Sequence, residues 1–111
     1  GVKGDAPRWW KVSFKAAKTP VPLYLDTAGL SKGQIYVNGR HLGRYFASGL
    51  DGKPVPGQSR SYIPGSRIKP GAENDLVIFD EHGRAPVKAK LVYDATQTPV
   101  VASNGGTPTV A

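Results

Sequence analysis

The sequence predicts an all-β fold, an antiparallel β-sandwich or jelly roll, on three observations. Short segments alternating between apolar and polar residues recur along the chain, and no stretch sustains a helical period. Gly and Pro are abundant, at 14 and 10, and fall between those segments, as in many strands joined by turns. Asn38-Gly39 separates two alternating segments. This is the strongest short-range hairpin signal, because both central residues of a type I′ turn need positive φ.

Taken in order, Trp9–Phe14 forms a half-buried strand with Trp10, Val12 and Phe14 on one face and Trp9, Lys11 and Ser13 on the other. Pro20 and Pro22 bracket a break, and Leu23-Tyr24-Leu25 is a short second strand. Asp26-Thr27-Ala28-Gly29 reads as a turn, since its side chains can bond nearby backbone N–H groups. Leu30–Gly33 is expected as one helical turn. Gln34–Val37 and His41–Phe46 are the arms of the Asn-Gly hairpin. Ser48–Ser61 is a long polar loop, either a variable surface insertion or a functional segment. Tyr62-Ile63 resumes a strand. Asp75–Asp80 is the most apolar strand, expected at the centre of its sheet. Val87–Tyr93 is expected as the last strand, with Val87, Ala89, Leu91 and Tyr93 on one face. The core is expected over Trp10, Val12, Ile35, Val37 and Val77. Residues 1–94 thus make the sandwich, and residues 95–111, small, polar and rich in Pro and Gly, read as a linker or C-terminal tail.

A chain of 111 residues is one domain, long enough to bury a core without disulfide or metal. It contains no Cys, which excludes thiolate catalysis and zinc–thiolate sites. The net charge is +7, but the basic residues are scattered singly. A clustered stripe interleaved with stacking aromatics, as nucleic-acid binding needs, is absent. No apolar run reaches membrane-span length. The first residues lack the order of a signal peptide, so either such a segment was removed or the chain is excised from something larger, and the missing initiator Met supports the second reading.

Catalytic equipment is not visible. No G-x-S-x-G elbow exists. Asp80 and Glu81 are adjacent, so on a strand they point to opposite faces. His41 and His82 lie in or beside turns, where lone histidines are usually solvated. No metal-ligand spacing appears.

Four ordered blocks then match a known pattern: Lys32-Gly33-Gln34-Ile35-Tyr36-Val37-Asn38-Gly39, Leu42-Gly43-Arg44-Tyr45-Phe46, Gln58-Ser59-Arg60-Ser61-Tyr62-Ile63-Pro64 and Leu76-Val77-Ile78-Phe79-Asp80-Glu81. Across residues 9–93 the chain resembles the C-terminal jelly-roll, galactose-binding-like domain of family 35 β-galactosidases. It departs from that pattern at Tyr36, Phe46 and Arg67, where the family often has Trp, and at Ala72, which lengthens a turn. The resemblance implies a non-catalytic accessory domain of a glycoside hydrolase whose two acids lie on a separate TIM-barrel domain. It implies that barrel as a partner, galactoside as a contacted substrate, and a secreted, periplasmic or cell-surface location. The alternatives are an autonomous carbohydrate-binding module, holding glycan through Trp9, Tyr36, Arg40 and the 48–61 loop, and a purely structural adhesion domain. No cofactor is expected beyond a structural calcium ion, which such sandwiches often carry, with Asp26, Asp75 and Glu81 as candidate ligands.

A sugar offers an apolar C–H face and a rim of hydroxyls, so its site needs an aromatic platform beside planar hydrogen-bonding groups. The candidates are Trp9, Tyr36, Asn38, Arg40, His41, Arg44, Tyr45 and Arg60. Competing roles are core or interdomain packing for Trp10, Phe14, Tyr45, Phe46 and Phe79, and ion pairs with Asp80 or Glu81 for Arg44 and Arg60. Turn geometry alone accounts for Asn38.

Overall fold

The computed structural model describes residues 6–19, 21–48, 53, 60–103 and 109–110. It is an antiparallel sandwich of β1 (Arg8–Lys15), β2 (Leu23–Asp26), β3 (Lys32–Val37), β4 (Arg40–Phe46), β5 (Arg60–Ile63), β6 (Glu73–Asp80), β7 (Lys90–Tyr93), β8 (Thr98–Pro99) and β9 (Thr109–Val110), with a 3₁₀ turn at Gly65–Arg67. One sheet has the order β4-β3-β6-β1-β9 and the other β5-β2-β7-β8. β6 is the middle strand of the larger sheet, as its apolar run predicts. Residues 49–52 and 54–59 of the long polar loop lie outside the described residues.

Alternation sets the core. Trp10 and Phe14, Ile35 and Val37, and Leu76 and Ile78 turn inward from the larger sheet, and Leu23, Leu25, Ile63 and Leu91 meet them from the smaller one. Val77 is not a core residue. Period two places it with Asp75 and Phe79 on the outer face, while Leu76 and Ile78 fill the interior. A run apolar on both faces conceals this register. Val87 likewise leaves the expected last strand. β7 begins at Lys90, and Val87 is 74% exposed. The segment after Asp94 lies along both sheets: Thr98–Pro99 pairs with β7 and Thr109–Val110 with β1.

The expected helical turn at Leu30–Gly33 is absent, because those residues are committed elsewhere. Leu30 is buried, Ser31 bonds Asp80, and Lys32 and Gly33 are already in β3. Asp80 organises this region. It is fully buried, and its two oxygens accept hydrogen bonds from Ser31 N and Oγ (2.8 and 2.6 Å), Tyr45 Oη (2.7 Å), and the N–H groups of His82 and Arg84 (3.0 and 2.9 Å). Tyr45 and Asp80 face each other across Gly33, their common partner in the two registers. The missing side chain leaves Tyr45 room to reach across β3. An added Cβ at Gly33 would stand 1.7 Å from Phe79 O.

The Asn-Gly hairpin forms as predicted, with φ of 51° at Asn38 and 79° at Gly39. The register shifts between Ile35 and Tyr36, leaving Leu42 as the extra residue of a bulge on β4. Asn38 does more than turn the chain. Its Nδ2 donates to Arg67 O and Asn74 Oδ1 (3.1 and 2.8 Å), and its Oδ1 accepts from Asp75 N (2.9 Å). Buried Asn74 also accepts from Lys69 N and donates to Lys69 O and Ala72 O. Asn74→Ala should cost about 2–3 kcal/mol, because it removes a buried amide that joins the hairpin turn at Asn38 to the Lys69–Ala72 turn through four hydrogen bonds. Urea unfolding would measure it, and a cost below about 0.5 kcal/mol would contradict this role.

Candidate functional site

Strand register assembles an aromatic patch on the outer face of the larger sheet. Trp9 pairs with Phe79, Phe79 with Gln34, and Gln34 with Arg44, making one row across four strands. Lys11, Val77, Tyr36 and His41 make the next row. Trp9 packs on Phe79 with ring centroids 4.7 Å apart and on Tyr36 at 5.7 Å, both tilted, and Tyr36 meets the His41 ring at 5.2 Å. His41 Nε2 lies 2.7 Å from Gln34 Oε1, which ties the two planar groups together. Trp9 is 41% exposed, so much of its indole stays open to solvent. The patch combines a hydrophobic ring face with amide, imidazole and guanidinium groups, the set that sugar recognition requires.

A second feature lies at the sandwich edge, where edge strands β4 and β5 line a shallow cleft through Arg44, Tyr45, Phe46, Arg60 and Ser61. Arg60 stacks over the Tyr24 ring at 4.4 Å. Lys32 Nζ lies 5.8 Å above the exposed Phe46 ring.

Of the residues proposed from sequence, Trp9, Tyr36, His41 and Arg44 come together on the sheet face, and Arg60 joins Arg44 in the cleft. Arg40 sits at the hairpin end and is exposed. Asn38 is occupied by its bonds to Arg67, Asn74 and Asp75. Tyr45 is buried, donates to Asp80, and is pushed above the usual phenol value by burial first and then by that carboxylate. The expected ion pairs of Arg44 and Arg60 with Asp80 do not form among the described residues. Asp80 faces inward and takes its bonds from a serine, a tyrosine and backbone N–H groups, whereas an ion pair joins Lys11 to Asp75 at 3.8 Å. Phe79 and Gln34 were missed as members of the patch. The signal was the alternation of Asp75, Val77 and Phe79 opposite Leu76 and Ile78, read together with the Trp9 strand.

The calcium candidates are spread over the fold. Asp26 is on β2 in the smaller sheet, and its Oδ1 accepts from Ala28 N, while Asp75 is on β6 in the larger sheet and Glu81 follows it. No group of three His, Cys, Asp or Glu placed to hold a metal ion occurs among the described residues. No helix among the described residues is long and apolar enough to cross a membrane.

The chain is 40% identical over 81 residues to "Beta-galactosidase 12" of Oryza sativa subsp. japonica, a match covering 72% of this chain and 9% of that protein. It is 39% identical over 80 residues to "Beta-galactosidase 11" of Arabidopsis thaliana, covering 70% of this chain and 9% of that one. The chain thus spans about a tenth of the length of these curated relatives. In fold it is similar to a solved GH78 family rhamnosidase of Bacillus sp. GL1, with a TM-score of 0.60 at 18% identity over 92% of this chain and 12% of that one. The family model described as β-galactosidase, galactose-binding domain matches residues 7–74, most of the sandwich, and the chain therefore belongs to the galactose-binding domain family of β-galactosidases.

Proposed function

We propose that this chain is a non-catalytic accessory sandwich of a family 35 β-galactosidase-like glycoside hydrolase. In this reading it follows the catalytic TIM barrel, supports it, and contacts galactoside through the outer face of its larger sheet. The parent protein acts outside the cytoplasm, in a secreted, periplasmic or cell-surface setting. The observation carrying this reading is the Trp9–Phe79–Tyr36–His41–Gln34 patch, a sugar-type surface on a domain whose family is that of β-galactosidases. The buried carboxylate, Asp80, supports it from the other side. Its hydrogen bonds are all spent on the scaffold, and it is sealed from solvent, so it is not placed to act as nucleophile or acid.

A second reading, an autonomous galactoside-binding module, is favoured by the openness of the Trp9 indole alone. One titration separates the two. The isolated chain is expected to leave a nitrophenyl galactoside unhydrolysed and to associate with the catalytic barrel. A shift of Trp fluorescence with galactose in the absence of the barrel, lost in Trp9→Ala, supports the autonomous module. Hydrolysis by the pure chain, abolished by no barrel-domain inhibitor, would overturn both.

A further inference from the structure

Arg44 and Arg60 belong to different sheets, yet they line the same cleft with Tyr45, Phe46 and Ser61. Both arginines are exposed. Arg60 is steadied by its stacking on Tyr24 and by a hydrogen bond with Tyr62, which use a face of the guanidinium and part of its N–H set and leave its other N–H groups for a ligand. Its cross-strand neighbour Asp26 attracts it by charge and has one oxygen engaged by Ala28 N. Among the described residues no carboxylate lines the cleft. Phe46, 38% exposed, sets an apolar ring beside the two cations.

We propose that this cleft binds a uronate residue of an acidic polysaccharide. The Arg44 and Arg60 guanidiniums clamp the sugar carboxylate, a planar group that matches the guanidinium fork. The Ser61 hydroxyl serves a ring hydroxyl, and the Phe46 face takes the C–H face of the pyranose. The net charge of +7 draws a polyanion toward the domain before the cleft engages it. This inference rests on the reading of the domain as a glycan-contacting one, and it narrows the glycan to a carboxylated chain held at the sandwich edge.

The test is affinity electrophoresis of the 111-residue chain through gels containing polygalacturonate, a neutral galactan, or no polymer. Polygalacturonate is expected to retard the chain, and R44Q/R60Q to weaken that retention about tenfold or more. K15Q/K18Q removes the same charge from exposed lysines outside the cleft and is expected to change retention less than about twofold. Circular dichroism confirms that both variants fold. Equal losses in the two variants overturn the proposal in favour of bulk charge. Retention by neutral galactan alone overturns the uronate site and leaves the carbohydrate reading standing. If no polymer retains the chain, and R44Q/R60Q instead weakens its association with a catalytic barrel, the cleft is an interdomain clamp. Glycan contact then falls as well, while the accessory role stays.

Discussion

Asp80→Asn is expected to remove about 3–5 kcal/mol of folding stability, read as a fall in the urea midpoint at unchanged slope. The substitution keeps the shape but replaces an acceptor oxygen with an NH₂ group. That group faces either Ser31 Oγ with the His82 and Arg84 N–H groups or Ser31 N–H with Tyr45 Oη, so on either side a backbone N–H loses its acceptor and a buried hydroxyl must turn to accept instead of donate. The ionised form is the one the fold uses. Burial opposes it, but hydrogen bonds from Ser31 and Tyr45 and from the backbone at Ser31 and Arg84 outweigh burial, and the carboxyl lies below its ordinary value. A folded value below the unfolded one means this stabilisation is complete above the unfolded carboxylate value of about 3.9 and is lost as pH falls through the lower folded value. The wild-type chain should therefore lose stability steeply below about pH 4, and the Asn variant should lack that component. Equal acid slopes for the two proteins would show that Asp80 does not carry it.

Gly33→Ala is expected to cost about 4 kcal/mol or more, or to prevent folding. The new methyl meets Phe79 O at 1.7 Å and Phe79 C at 2.8 Å, both backbone atoms of the central strand, which cannot swing aside as a side chain would. Relief requires β3 to move from β6, which also breaks the reach of Tyr45 to Asp80. Gly43→Ala is the control. Its Cβ would have nothing within 4 Å, so its cost should stay within about 1 kcal/mol. Thermal melts of the two variants decide this, and similar midpoints would refute the close approach at Gly33.

Most strands were legible because each is half buried, so apolar alternation records its inner face directly. Trp10 and Phe14, or Ile35 and Val37, could be placed without coordinates. The Asn38 turn was legible for a local reason, the need for positive φ. Legibility failed where a contact between distant segments decided the outcome. Leu30–Gly33 looks helical locally, yet Ser31 is claimed by Asp80, 49 positions away. Val87 continues an alternating pattern, yet β7 starts only at Lys90. Asp80 looked like an ion-pair partner for Arg44 or Arg60, because sequence does not show that a tyrosine and a serine reach it first. The outer-face aromatic patch was half visible. Trp9, Tyr36 and His41 were named as aromatic or planar groups, but Phe79 and Gln34 joined them only once four strands were laid in register.

β1 has a consequence for synthesis on the ribosome. Its partners are β6 and β9, and Ser13 meets Asp75, 62 positions further along the chain. Within the sandwich, β1 is made before both of its partners and is left without a neighbour until Glu73–Asp80 has been made. Its open edge, with both indoles, is exposed to stray pairing in the meantime. Refolding should accordingly fall in the slow range of milliseconds to seconds usual for such distant closures, and a nascent chain halted before Glu73 should be the species that chaperones hold.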